Sequence, residues 1–349
     1  MYDVVTIGSA TMDAFIENDK ISVVSVNTVE KHTELMALPY GAKLEIEGFS
    51  RQIGGGGINT AANFANLGLK TSTIIKLGDD DIKPTILSHL EKHGVNTNNV
   101  VIDKTNHSGF SMILVSFQGD RTVLAYRGAN EHINEKDINF DAIKESKWLY
   151  VAPLAGESNR VLDKIAQFAE ANGTNLAMNA GTTAIKRGEK YFSKILQTAE
   201  ILMLNKEEAS MLTKIEVRPD TKHEKFSQNE IHPDLKAMLE RLRGEFPVLT
   251  VVTDGKNGVW AYDGNKFYNC PSYPAKVRST LGAGDAFAST FMASIERTNW
   301  DVEKSLKIAS VNSANVCEFF GAQEGFLTFE QIEERLVSTP DYGVRIIGA

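Results

Sequence analysis

The stretch Ser279-Thr-Leu-Gly-Ala-Gly-Asp-Ala-Phe287 leads into small and apolar residues that recur at helical spacing as far as Arg297. This pattern predicts a turn that opens a long helix over 283–297. Three small residues, Gly282, Ala283 and Gly284, leave backbone amides free at the helix start, where the peptide dipoles add positive potential. Such an end holds an anion without any lysine. Asp285 falls in the first turn and has two readings. It complements the helix dipole, or it acts as general base for a hydroxyl that attacks a phosphoryl group held by those amides.

Upstream, Gly54-Gly-Gly-Gly-Ile-Asn-Thr-Ala61 precedes a second helical pattern over 57–67. Four consecutive glycines let a backbone approach a ligand closely, or make a flexible turn. Asn59 offers both a donor and an acceptor. The run is not a dinucleotide fingerprint, because G-x-G-x-x from Gly55 needs a small residue at Thr60 and no strand runs directly into it. The usual phosphate loops are absent as well. Gly255-Lys256-Asn257 lacks the spacing and the hydroxyl of a P-loop, and no H-R-D loop occurs. A phosphoryl-transfer enzyme built on this chain must use another architecture.

Around these segments, strand-like runs over 1–8, 71–77, 148–151, 176–178, 201–204 and 248–253 alternate with helical patterns over 83–93, 158–172, 188–197, 234–243, 283–297 and 302–320. The alternation predicts right-handed βαβ units and a parallel sheet covered on both faces. Two regions break it. Short alternating runs such as Lys43-Leu-Glu-Ile-Glu47 lie between Asp13 and Gly54, and β-like runs over 108–117 and 121–126 flank Gln118-Gly-Asp120, which reads as a hairpin. These pieces can pair into a small second sheet over one end of the main domain. The polar stretch 213–233 reads as a surface insertion.

At 349 residues the chain suggests about two domains, or one large α/β domain with an appendage. With 42% hydrophobic and 23% charged residues it is neither disordered, collagenous nor a coiled coil. The net charge of −8 argues against nucleic acid as a partner. The longest nonpolar stretch, Trp148 to Gly156, is nine residues, and a membrane span needs about 20. Two cysteines, Cys270 and Cys317, make no disulfide framework, and MYDVVTIGSA has neither a basic region nor a long apolar core. The expected location is cytoplasmic.

In their order along the chain, these motifs resemble those of the ribokinase or PfkB family of carbohydrate and nucleoside kinases. Thr6-Ile-Gly-Ser-Ala-Thr-Met-Asp13 is similar to the family's opening strand and sugar-binding Asp. Gly54 to Ala61 is similar to its first signature, G-G-x-x-x-N, and Thr280 to Phe287 to its second. Leu77-Gly-Asp-Asp80, His93-Gly-Val-Asn96, Asn205-Lys-Glu-Glu208 and Thr253-Asp-Gly-Lys-Asn-Gly258 resemble its remaining segments. The resemblance covers nearly the whole chain. It implies a single kinase domain over 1–349, a ribokinase-like three-layer α/β sandwich around a mostly parallel sheet, with a β-sheet lid from parts of 14–53 and 108–127.

It also implies roles. Asp285 would be the catalytic base, with Gly282, Ala283 and Gly284 as the anion hole. Asp13, Gly55, Gly57 and Asn59 would hold substrate hydroxyls. Asn205, Glu208, Thr253, Gly255 and Gly258 would bind ATP, with Glu208 meeting Mg²⁺ through water. The lid would close over substrate and exclude water, and its exposed face suggests a homodimer. Taken alone, Asn205 and Glu208 read equally as an N-cap and its capping-box partner.

Some positions depart from the family pattern. The second signature usually begins with Asp where this chain has Ser279, and Gly321-Ala-Gln-Glu-Gly325 resembles G-A-Q-x-S without the last hydroxyl. Both changes fall on the family's monovalent-cation site, so potassium activation is in question. The family's adenine-side Asn aligns with Ser310, with Asn312 nearby. Arg127 ends a lid strand in a segment resembling the Y-R stretch of 2-keto-3-deoxygluconate kinases. With Lys43 it would favour a sugar acid or sugar phosphate, or else it is a solvated arginine. His89 and His93, at i and i+4, lack a third metal ligand at suitable spacing. The expected function is ATP-dependent phosphorylation of a sugar-type hydroxyl. The alternatives are a nucleoside kinase, a catalytically idle sugar-binding homologue, and a nicotinamide enzyme, which the missing fingerprint opposes.

Overall fold

The computed structural model describes residues 1–17, 21–28, 32–115, 121–188, 193–218, 230–246 and 249–348. Its main sheet has nine strands, in the spatial order Arg345–Gly348, Lys266–Cys270, Val259–Tyr262, Leu249–Thr253, Ile201–Asn205, Asn175–Asn179, Ser146–Val151, Tyr2–Ile7 and Thr71–Ile74. The strands from Thr71–Ile74 to Leu249–Thr253 all pair in parallel. The three at the other end pair antiparallel.

The inner strands are apolar on successive residues because successive side chains face opposite helix layers. Val4, Trp148 and Tyr150 pack with Phe64, Phe291 and Leu306. Val5, Ile7 and Leu149 pack on the other face with Leu162, Met238 and Leu242. This is the three-layer α/β arrangement expected from the alternation.

The observed elements differ from expectation in places. The pattern over 158–172 is a 3-10 segment, Gly156–Val161, followed by the helix Leu162–Asn172 and a left-handed Gly173. The pattern over 302–320 stops as helix at Val316, which frees the following turns to reach the site. The strand over 71–77 breaks into Thr71–Ile74 and Lys76–Gly78. The antiparallel edge strands Val259–Tyr262, Lys266–Cys270 and Arg345–Gly348 were not expected; they are short and carry polar residues. Residues 189–192 of the pattern over 188–197, Val248 of the strand over 248–253 and residues 219–229 of the polar stretch lie outside the described residues.

A second, four-stranded sheet runs Arg121–Tyr126, Gly109–Val115, Thr11–Glu17 and Gly48–Gly54. Its outer pairs are antiparallel and its central pair is parallel. It begins at Thr11 rather than after residue 13, so Asp13 is a residue of this sheet and not of a loop after the strand Tyr2–Ile7, which itself lies beside the edge strand of the main sheet. Lys43–Glu47 forms no strand, and residues 116–120, with the turn expected at 118–120, lie outside the described residues. Ser22–Asn27 and His32–Ala37 make a separate hairpin.

Register sorts the four-stranded sheet into two faces. Asp13 stands level with Gln52 and Ser111, and Ser111 with Ala125. Arg121 falls on the same face two steps along, level with Val115. The opposite face carries Phe49, Met112, Leu124 and Tyr126, all exposed.

Candidate active site

Asp285 lies in the first turn of the helix Ala283–Arg297. The residue before that helix, Gly282, has φ +77°, and a side chain there would strike the backbone of Ala322. Only glycine fits this turn, which leaves the amides that follow without side-chain cover. Burial pushes the Asp285 carboxyl above its usual range, and the hydrogen bond from Asn59 offsets part of that. Asn59 Nδ2 donates to Asp285 Oδ2 at 2.7 Å. The two glycine-rich segments, 226 residues apart, therefore meet at one carboxylate.

Of the other glycines in the first run, Gly56 is the one beside the Asp285 carboxylate: a Cβ there would stand 3.6 Å from Asp285 Oδ1. Gly57 is instead pressed against Gly8, just after the strand Tyr2–Ile7, so it serves helix–sheet packing. Gly55 precedes the helix Gly56–Asn66.

A cavity of about 630 Å³ extends from Ala283 and Gly284 past Asn205 and Thr253 to Gly255 and Gly258. Its wall continues through Tyr273, Val277, Ser310 and Cys317. This end offers an apolar slot for a flat ring, and the glycine end offers amides. Ser310, not Asn312, lines it. Asn312 is buried and donates to Asn63 Oδ1 and Thr290 Oγ1 at 3.1 and 2.8 Å.

Both readings of the Asn205 motif meet here. Asn205 Oδ1 accepts from the Glu208 amide at 2.8 Å, and Glu208 Oε2 accepts from the Asn205 amide at 3.0 Å, a complete capping box. Asn205 also lines the cavity. Glu208 is buried, which pushes its carboxyl up. Among the described residues no three acidic, His or Cys side chains gather as a metal cage. Glu208 does not itself line the cavity; it is tied to it through the capping box with Asn205.

Asp13 is 7% exposed, with Ser111 and Thr11 hydroxyls as partners, and burial raises its carboxyl. A side chain on Gly54 would collide with Asp13 Oδ2, so the glycine run also makes room for this carboxylate. Arg127 is exposed and precedes the 3-10 turn Gly128–Glu131. Lys43 is exposed in the irregular segment. The arginine that reaches across from the small sheet is Arg121, whose Nη2 donates to Thr280 Oγ1 at 3.0 Å. Thr280 lines the cavity. Sequence reading passed over Arg121 because its neighbours carry no motif; only strand register sets it on the face of Asp13.

Ser279 Oγ accepts from the Leu281 amide at 3.2 Å. A side chain on Gly325 would run into the Phe319 ring, so this position cannot regain the hydroxyl that the family pattern has. His89 and His93 lie ring to ring at 4.6 Å, and His89 Nε2 meets Gln323 Oε1 at 2.6 Å.

A model of the pfkB family carbohydrate kinases matches residues 1–328. The chain is 25% identical over 319 residues to a 5-dehydro-2-deoxygluconokinase of Bacillus subtilis, covering 86% of this chain and 92% of that one. It is 25% identical over 338 residues to the ribokinase of the same organism, covering 96% and 100%. Among solved structures, Arabidopsis thaliana ribokinase complexed with ribose and ATP superposes with a TM-score of 0.76 at 19% identity, covering 96% of this chain and 98% of that one. The nucleoside kinase of Methanocaldococcus jannaschii does so at 0.73 and 20%, with the same coverages. These share the fold, a large mostly parallel sheet with a small separate one. No helix among the described residues is long and apolar enough to cross a membrane.

Proposed function

The chain belongs to the pfkB family of carbohydrate kinases, and from that premise we propose that it transfers the γ-phosphoryl group of ATP to a hydroxyl of a sugar or sugar derivative, with Asp285 as general base. It is a small-molecule kinase by family; the acceptor and the residue roles are this proposal. One observation carries it: a buried carboxylate, held by Asn59 through Oδ2, in the first turn of a helix whose amides border the cavity.

In the transfer step the acceptor oxygen bonds to the γ-phosphorus as the bond from that phosphorus to the bridging oxygen of the leaving ADP breaks. The hydroxyl proton passes to Asp285 Oδ1. The amides following Gly282 face the charge on the moving phosphoryl oxygens. An alcohol loses its proton late in such a transfer, so a carboxylate with a moderately raised pKa is basic enough. Mg²⁺ bound with ATP would neutralise phosphate charge, and Asn205 and Glu208 are the groups placed to meet its water shell.

Asp13 supplies an acceptor for sugar hydroxyls, with Gly55 and Asn59 along the same wall. Arg121 reaches the edge of the cavity from the small sheet, which acts as a lid. Its outward apolar face, with Phe49, Met112, Leu124 and Tyr126, suits a second copy of the chain. A coupled ADP-release screen over sugars, sugar acids, sugar phosphates and nucleosides tests the acceptor. The highest kcat/KM should fall to a sugar or sugar acid, and a preference for nucleosides would refute this assignment.

A further inference from the structure

The geometry points to His89 as a positioning residue for the base, acting through Gln323 and Asn59. The inference rests on the reading of Asp285 as base. Gln323 is the junction. Its Nε2 donates to the backbone carbonyl of Ile53 at 3.1 Å and to Asn59 Oδ1 at 2.9 Å. A backbone carbonyl only accepts, so Ile53 decides which end of the Gln323 amide is nitrogen. The Gln323 oxygen must then face His89, and His89 Nε2, 2.6 Å away, must carry a proton. In the same way the Asn59 oxygen is taken by Gln323, which turns its nitrogen to Asp285 Oδ2. Each donor–acceptor choice follows from the one before it.

The chain joins three parts of the molecule. Ile53 belongs to the small-sheet strand Gly48–Gly54, Asn59 to the helix Gly56–Asn66, and His89 to the helix Ile82–Lys92. Gln323 is thus seated by one element that would move with the lid and one that packs on the main sheet. With Oδ2 of Asp285 held by Asn59, Oδ1 is left for the acceptor proton. Without the His89 donor, Gln323 keeps its two acceptors but loses the contact that holds it from behind, where a cavity of about 350 Å³ opens beside His89, Gln323 and Glu324. Asn59, and the carboxylate it orients, then sample more than one geometry.

The test compares His89→Leu, which removes the donor, with His89→Gln, whose side-chain amide can donate from a similar reach. His89→Leu should lower kcat by about 2- to 13-fold, the worth of one hydrogen bond, with KM for ATP unchanged. His89→Gln should restore most of the loss. Gln323→Glu changes little volume and removes both donations, so it should lose at least as much, and it serves where His89→Leu does not fold. Asp285→Asn is measured alongside. If it is nearly inactive while His89→Leu and Gln323→Glu turn over at the normal rate, the positioning role is wrong and the base assignment stands. If Asp285→Asn itself turns over normally, the base assignment falls and this inference with it. Equal losses in His89→Leu and His89→Gln would also overturn it, since the lost property would not be the donor.

Discussion

Two inner strands of the main sheet, Tyr2–Ile7 and Ser146–Val151, and the outer strand of the small sheet bury their residues to opposite extents. Val4, Val5, Ile7, Leu149 and Val151 are fully buried, whereas every residue of Arg121–Tyr126 is exposed. The main sheet is covered by helices on both faces and is stable as it stands. The small sheet has one face turned to the cleft and one apolar face open, so it draws little stability from its own burial. The difference divides the labour. Under the proposed mechanism, the groups that need fixed geometry, Asp285 and Asn59, sit on helices against the main sheet. The groups that would meet a ligand on closing sit on the small sheet, Asp13 on its buried inner strand and Arg121 on its exposed outer strand.

Substitution of Asp285 tests the rigid half and carries the largest expected effect. Asp285→Asn should lower kcat by about 10²- to 10⁴-fold with little change in ATP binding, because Asn keeps an oxygen for Asn59 Nδ2. Its effect on stability has the other sign. The folded-state pKa of Asp285 is raised, so the native state binds the proton more tightly than the unfolded state. Ionisation at neutral pH therefore destabilises the fold, and stability falls as pH rises from the ordinary carboxylate range through the raised value. Asp285→Asn should melt no lower than the parent at pH 7. In the parent, kcat/KM should decline on the acid side with a midpoint above the ordinary Asp value. An active Asp285→Asn enzyme would dissolve the division.

Arg121 comes second, as the link between the halves. Arg121→Gln should cut kcat/KM by about 10- to 100-fold for every acceptor, the scale of one charge-assisted hydrogen bond near a phosphoryl group. The melting temperature should hardly move, since the side chain is exposed. A loss confined to anionic acceptors would place Arg121 on the substrate instead.

The same contrast explains what could be read beforehand. The parallel strands announce themselves as apolar runs because both faces are buried, and the Gly282-Ala-Gly-Asp285 turn through Gly282, whose positive φ and contact with Ala322 admit only glycine. The small sheet is harder to read. Its strands mix buried and exposed residues, and its central pair is parallel between segments about 100 residues apart. Its start at Thr11 and the irregular 43–47 depend on pairing, which no local pattern encodes. Arg121, Gln323 and His89 owe their places to register and loop geometry. Only the G-A-Q element hinted that Gln323 belonged near the site, and nothing local connected it to His89.

Potassium offers a smaller effect within the rigid half. Ser279 uses its hydroxyl on the Leu281 amide, and Gly325 has no room for a side chain. Activation by KCl over a bulky organic cation at constant ionic strength should stay under about tenfold, or 1.4 kcal/mol of barrier. A larger response would mean that backbone carbonyls alone build the cation site.

The smallest expected effect separates Arg121 from Arg127, the residue just after the outer strand of the small sheet. Arg127 follows Tyr126 at the point where that strand enters the buried turn Gly128–Glu131. Asn130 of this turn clamps the backbone of Ala10, donating from Nδ2 at 2.8 Å and accepting at Oδ1 at 2.9 Å. Arg127 thus stands where the small sheet joins the core, and a closing of that sheet as a lid would move it less than Arg121 at the far end of the strand. It can still face a carboxylate or phosphate on the acceptor, but from an exposed position, where water and salt screen the attraction. Arg127→Ala should raise KM for an anionic acceptor by about 2- to 5-fold at low salt, and leave a neutral sugar and ATP unaffected. The difference should shrink as ionic strength rises. A uniform loss across charged and neutral acceptors would mean that Arg127 acts on lid closure itself, and the lid would then be governed from its hinge rather than from its tip.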